Sequence, residues 1–163
     1  MMLVDTGPLI ALIDKGQGDT HVKCVQTYQT LTGSMLTTWP CFTEAMYFLS
    51  ELRGWSAQTI LWEFINRKAL YLHTANEAEC QRMKVLMEKY KDIPMDLADA
   101  SLVAVAEREK IKRIFTLDGD FYVYRLYDFE DKFTPIPKSS RIYLRLIWLD
   151  TEYHIARRQY HDR

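Results

Sequence analysis

The sequence predicts an α/β layer fold with a mostly parallel central sheet. Short strand-like apolar runs alternate with segments of helical apolar spacing, in the order strand, helix, strand, helices, strand, helices, strand. The length, 163 residues, suits one domain able to bury a sizeable core. Apolar residues make up 48% and charged residues 26%, the balance of a globular chain.

"MLV" reads as a short buried strand ending at Asp5, "TGP" as a turn, and "LIALI" as the start of a helical or irregular segment. "DTHVKCVQTYQTLTG" sets Val22, Val25 and Leu31 at near-helical spacing and is closed by Gly33. "SMLTT" is a second strand. "WPCFTEAMYFLSELRG" follows as an amphipathic helix with Phe42, Ala45, Met46, Phe48, Leu49 and Leu52 on one stripe and Glu44 near its start. Ser56 has the chemistry of an N-cap for a helix through "AQTILWEFIN", and "ALYLH" is a third strand. Thr74 and Glu77 have capping-box spacing before a helix whose apolar side includes Met83, Leu86, Met87 and Tyr90. After Pro94, "MDLADAS" opens an Ala-rich helix, and "RIFTL" is a fourth strand that delivers Asp118.

The remainder differs in character. Residues 138–163 carry six Lys and Arg against three acids, a basic C-terminal extension in which "IYLRLIWL" suits a strand or a helix turn equally. The domain itself is taken as residues 1–137.

Several classes are disfavoured. With 21 basic and 22 acidic residues there is no global field for a polyanion, so a nucleic acid would be held by a local patch. Cys24, Cys41 and Cys80 are odd in number and lack CxxC spacing, which argues against a disulfide framework or a cysteine zinc site; they read as reduced, core or half-buried residues. The apolar N-terminus lacks a basic leader region and is far shorter than the roughly 20 residues of a membrane span, so a cytoplasmic protein with no membrane partner is expected.

Carboxylates carry the chemistry. In a parallel α/β sheet, ligands bind beyond the carboxyl ends of the strands. Asp5 and Asp118 each follow a strand and emerge on that rim, and Glu44 and Asp99, near helix starts, can point to the same cavity. Like charges gathered in partly desolvated surroundings repel and raise one another's pKa, a conflict that a divalent cation removes. An all-oxygen donor set suits Mg²⁺ or Mn²⁺ and the hydrolysis of phosphodiesters. Each acid also has a structural reading alone: strand-ending turn, capping glutamate, helix-start acid, Asp-Gly turn.

"LVDTGPLIAL", "TTWPCFTEA", "PMDLADASLVAVAE" and "IFTLDGDF" resemble, in order and spacing, the motif blocks of PIN-domain proteins, in particular the VapC-like ribonuclease toxins. The resemblance covers about residues 2 to 137. It implies a three-layer α/β/α sandwich, Mg²⁺- or Mn²⁺-dependent endoribonuclease activity on an RNA substrate, a homodimer, and a small antitoxin encoded alongside. It places Asp5, Glu44, Asp99 and Asp118 on the acidic metal-binding positions and Thr116 on the hydroxyl position beside the last acid. Thr6 and Asp96 join as supporting residues, Asp96 chiefly as the N-cap of its helix. Asp120 is a supporting group, a second ligand, or the cap of the next segment. The alternative keeps the PIN fold without catalysis, as a module that binds RNA or protein; hydrolysis of DNA or another phosphate ester would share the site.

Other residues carry less. The four histidines, at 21, 73, 154 and 161, lack metal-ligand spacing. Arg53, Trp55, Arg82 and Lys84 are RNA contacts or else solvated helix residues and a packed Trp, and Phe42, Met46 and Leu49 are core or dimer interface.

Overall fold

The computed structural model describes residues 1–93, 95–126 and 133–136. Residues 138–163, including "IYLRLIWL", His154 and His161, lie outside them. Five strands form a wholly parallel sheet: β1 (Met2–Val4), β2 (Met35–Thr38), β3 (Leu70–His73), β4 (Arg113–Phe115) and β5 (Thr134–Ile136), in the order β3-β2-β1-β4-β5. Among the described residues six α-helices accompany them: α1 (Thr6–Ile13), α2 (Asp19–Thr30), α3 (Trp39–Arg53), α4 (Trp55–Asn66), α5 (Glu77–Lys89) and α6 (Leu97–Glu109). Among the described residues no helix is long and apolar enough to cross a membrane.

Strand side chains alternate between faces, and the core divides accordingly. Leu3, Leu36 and Ile114 pack with Met83 and Leu86 of α5 and Leu102 of α6. Met2, Val4, Met35, Leu70 and Phe115 pack with Leu9 and Ile10 of α1, Phe42 and Leu49 of α3, and Leu61 of α4. Helices therefore cover both faces, giving the three-layer α/β/α sandwich. Parallel strands covered on both sides read as continuous apolar runs, as "MLV" and "RIF" do.

The structure moves several local features from their expected places. "TGP" is no turn: α1 begins at Thr6, with Asp5 as N-cap accepting from the Thr6 N–H at 2.6 Å and Pro8 in the first turn, where its missing N–H has no partner to lose. Helix α2 ends at Thr30, and it buries Thr20 and Cys24 while Val22 is exposed. Leu52 is also exposed, whereas Phe42 and Leu49 belong to the core. Glu44 lies beyond the first turn of α3. The capping box of α5 is Asn76 with Glu79, because the helix begins at Glu77 and leaves Thr74 two residues before the N-cap, where its hydroxyl accepts from Trp39 Nε1. Strand β5 had no expected counterpart; its Pro135 suits an edge strand.

Ser56 caps nothing at the start of α4. Gly54, at φ +67° and ψ −158°, is both the C-cap of α3 and the N-cap of α4, a conformation close to glycine-only. Gly54→Ala is expected to lose about 1–3 kcal/mol in urea unfolding from backbone strain alone, because a Cβ there meets open space.

Candidate functional site

The β1–β4 register decides which groups meet. Val4 pairs with Phe115, so the next residues, Asp5 and Thr116, emerge side by side at the carboxyl rim. There the Thr116 hydroxyl donates to Asp5 Oδ2 at 2.7 Å and accepts from the Asp118 N–H at 2.9 Å. Thr116 thus links the first acid to the last. Asp118 lies three residues past β4, and its Oδ1 accepts the Asp120 N–H at 2.8 Å. Asp120 opens a short 3₁₀ turn, Asp120–Tyr122.

Glu44 reaches the rim from α3, on the other layer. Thr6 donates its hydroxyl to Glu44 Oε2 at 2.7 Å, which fixes that carboxylate over the start of α1. Asp99 comes from the first turn of α6, where its N–H is capped by Asp96 Oδ1 at 2.9 Å and its Oδ2 accepts from the Tyr124 hydroxyl at 3.0 Å. Asp96 is exposed, yet its charge acts on Glu44, Asp99 and Asp118. It is both the helix cap and the shared neighbour of three acids.

Tyr124 is the residue that sequence reasoning passed over. It is fully buried between Tyr90 and Phe121, and no motif spacing marks it. Burial and the Asp99 charge raise its phenol far above the ordinary range, so it stays a hydrogen-bond donor.

All four acids are raised. Burial is the first cause for each; it lifts Asp5 to about 7, against the Thr116 and Thr6 hydrogen bonds, and Asp99 to about 9. The charges of Asp118 and Glu44 add to Asp5, and those of Asp5, Asp96 and Asp118 add to Asp99. Among the described residues the ion pairs fall on Asp14, Glu63, Glu79, Glu107 and Glu109, away from this cluster.

The linkage has a definite sign. Acids raised in the folded state stabilise it fully below their unfolded pKa, near 4, and that contribution is lost as pH rises through 7 and 9. In chelator, the stability of Asp99→Asn relative to the parent is therefore expected to grow between pH 5 and pH 9, by at least about 1 kcal/mol in urea unfolding. A constant difference across that range would contradict it.

The donor set, all carboxylate oxygens crowded without a cationic side chain paired to them, fits a hard divalent ion. Among the described residues no three His, Cys, Asp or Glu side chains are grouped so that together they could hold one metal ion. An ion here would take fewer direct protein ligands and complete its shell with water, the habit of Mg²⁺.

The secondary candidates are otherwise engaged. Arg53 pairs with Asp14 and Arg82 makes a two-pronged pair with Glu107. His21 Nδ1 bonds the Ala11 carbonyl, and His73 faces Glu79. Trp55 is the exception, 69% exposed on α4 and not the packed ring expected of it. Cys24 and Cys41 are buried thiols raised by desolvation, whereas Cys80 is exposed, contrary to the core or half-buried place expected of it.

Comparison with known proteins adds the family. The PIN domain model matches residues 2–126. Ribonuclease VapC26 of Mycobacterium tuberculosis is 25% identical over 117 residues, 72% of this chain and 86% of that protein. The crystal structure of Mycobacterium tuberculosis VapC20, described as a Sarcin-Ricin loop cleaving toxin, superposes with a TM-score of 0.71 at 16% identity, covering 79% of this chain and 98% of that one. A toxin–antitoxin complex from Klebsiella pneumoniae matches with a TM-score of 0.57 at 18% identity, over 74% of this chain and 90% of that one.

Proposed function

Because the chain belongs to the PIN domain family, we propose that it is a divalent-metal-dependent endoribonuclease and the toxin of a toxin–antitoxin pair. The observation that carries this reading is the convergence of Asp5, Glu44, Asp99 and Asp118 at one strand rim, with every carboxyl held above its ordinary pKa. The ribonuclease name of the 25%-identical relative supports the RNA substrate. The toxin–antitoxin complex from Klebsiella pneumoniae supports an antitoxin partner. A homodimer and a cytoplasmic site of action complete the proposal.

Asp5 and Asp99, the two most buried of the four acids, would hold Mg²⁺ or Mn²⁺, with Asp118 joining through water. When bound, the ion supplies positive charge that offsets the crowded carboxylates and the phosphate, and it acidifies water. The chain's own groups do the rest. Thr116 and Thr6 fix the Asp5 and Glu44 carboxylates through the hydroxyl bonds described above. Glu44, half-buried and with a raised pKa, would orient the attacking water and take its proton. Tyr124 and Asp96 hold Asp99 from its side chain and its backbone.

Purified protein incubated with single-stranded RNA is expected to cleave it with Mg²⁺ or Mn²⁺ and not in chelator. Intact RNA under both conditions, across several RNA sequences, would refute the ribonuclease reading.

A further inference from the structure

A cavity of about 520 Å³ opens between α5 and α6, over the carboxyl ends of β2 and β3. Thr38 and Ser101 line it with hydroxyls 2.6 Å apart; Ser101 donates to the Ala98 carbonyl, which leaves Thr38 as the donor between them. Both hydroxyl protons are used. The other walls are largely apolar and polarisable: Trp39, Met83, Met87 and Leu97, with exposed Lys84 among them. Trp39 and Leu97 are 44% and 51% exposed, and the Trp39 ring is preset by its Nε1–H bond to Thr74 and an edge contact with Phe42.

The cavity and the acids share one helix start. Leu97 and Ser101 lie two residues to either side of Asp99, and at about 100° per residue Asp99 leaves the opposite flank of α6. One helix width, about 10–12 Å with side chains, separates cavity from carboxylates.

We propose that this cavity receives an unpaired nucleobase of the RNA, from a nucleotide neighbouring the one whose phosphate enters the acid cluster. The proposal rests on the ribonuclease reading above. Single-stranded RNA is recognised through splayed bases stacked on aromatic faces, and Trp39 with two Met sulfurs offers such a wall. The volume suits a small-molecule-sized group rather than the face of a helix. A polyanion approaching a cluster of acids needs a local cation, and Lys84 supplies one at the cavity wall for the phosphate of the bound nucleotide. With both hydroxyl protons used, the cavity selects bases by ring size and stacking more than by hydrogen bonds. The identity of a neighbouring base then sets which bond is cut.

Cys80 makes the test direct, since it lines the cavity and is exposed while Cys24 and Cys41 are buried. Alkylation with N-ethylmaleimide obstructs the cavity from the Cys80 wall, and Cys80→Ser treated with the same reagent serves as the insensitive control. Two readouts are needed: fluorescence anisotropy with single-stranded RNA of about 12 nucleotides in chelator, and Mn²⁺-dependent cleavage of the same RNA. Alkylation is expected to weaken binding about tenfold, the loss of one stacked base, and to raise KM more than it lowers kcat. Cys80→Ser should behave alike before and after treatment. An abasic nucleotide beside the cut should impair the untreated protein as much as alkylation does. Unchanged RNA affinity after alkylation overturns the proposal and leaves the cavity to a protein partner, and absence of RNA binding by the untreated protein overturns it too. Binding without cleavage refutes the ribonuclease reading instead, and the anisotropy alone then judges the cavity.

Discussion

Asp99→Asn is expected to lower kcat/KM for RNA cleavage by at least about 1000-fold, roughly 4 kcal/mol of transition-state stabilisation, in a protein that stays folded. The substitution is close to isosteric and removes only charge. The cap of α6 survives, because it runs from the Asp99 backbone N–H to Asp96. The Tyr124 hydroxyl can still donate to an amide oxygen at that position. Asp5→Asn should be equally inactive but is a harsher probe of the fold, since both Asp5 oxygens accept hydrogen bonds, from the Thr6 N–H and from Thr116. Circular dichroism and urea unfolding at pH 8 in chelator complete the measurement; the expected sign is a gain in stability for Asp99→Asn, because the parent must take up a proton to bury that carboxyl at pH 8 and the amide need not. Cleavage within tenfold of the parent would remove Asp99 from the site.

Phe121→Ala is expected to cost about 3–5 kcal/mol, the range for deleting a fully buried aromatic side chain. Its ring sits edge-on to Tyr124 at 5.3 Å and to Phe133 at 5.4 Å, so the substitution opens a cavity and loses two aromatic contacts. Function should suffer beyond the loss of folded protein. Phe121 lies in the turn that follows Asp118 and supports the Tyr124 ring whose hydroxyl holds Asp99. Urea unfolding measures the first effect, and cleavage by the residual folded fraction at low temperature measures the second. A cost below about 1 kcal/mol would show that this aromatic cluster does not anchor the site.

The parts of the molecule legible in the sequence were those fixed by local pattern. Four strands and the helices between them follow from apolar runs and helical spacing, and the placement of Asp5 and Asp118 on one rim follows from parallel strands sharing a direction. Caps were less legible because several residues compete for the same backbone. Thr74 lost to Asn76 because α5 starts at Glu77, two residues too late for Thr74 to cap it, and Ser56 lost to Gly54 because α4 starts at Trp55, which puts Ser56 inside the helix. Tyr124 had no local signal at all. Its tie to Asp99 spans 25 residues and exists only through the packing of Tyr90 and Phe121 around it. Likewise the orientation of Glu44 depends on a hydroxyl 38 residues away.

The bond from Thr116 to Asp5 spans 111 residues, nearly the whole described chain. Chains emerge from the ribosome at about 5–20 residues per second, N-terminus first. The first strand therefore waits many seconds for the partner strand that completes its rim, and β2 and β3 can pair beside it in the meantime. The acid cluster is thus one of the last features to assemble. A nascent or C-terminally truncated chain ending before about residue 116 carries Asp5, Glu44 and Asp99 without Thr116 or Asp118, so synthesis itself withholds the finished site until Asp118 has been made.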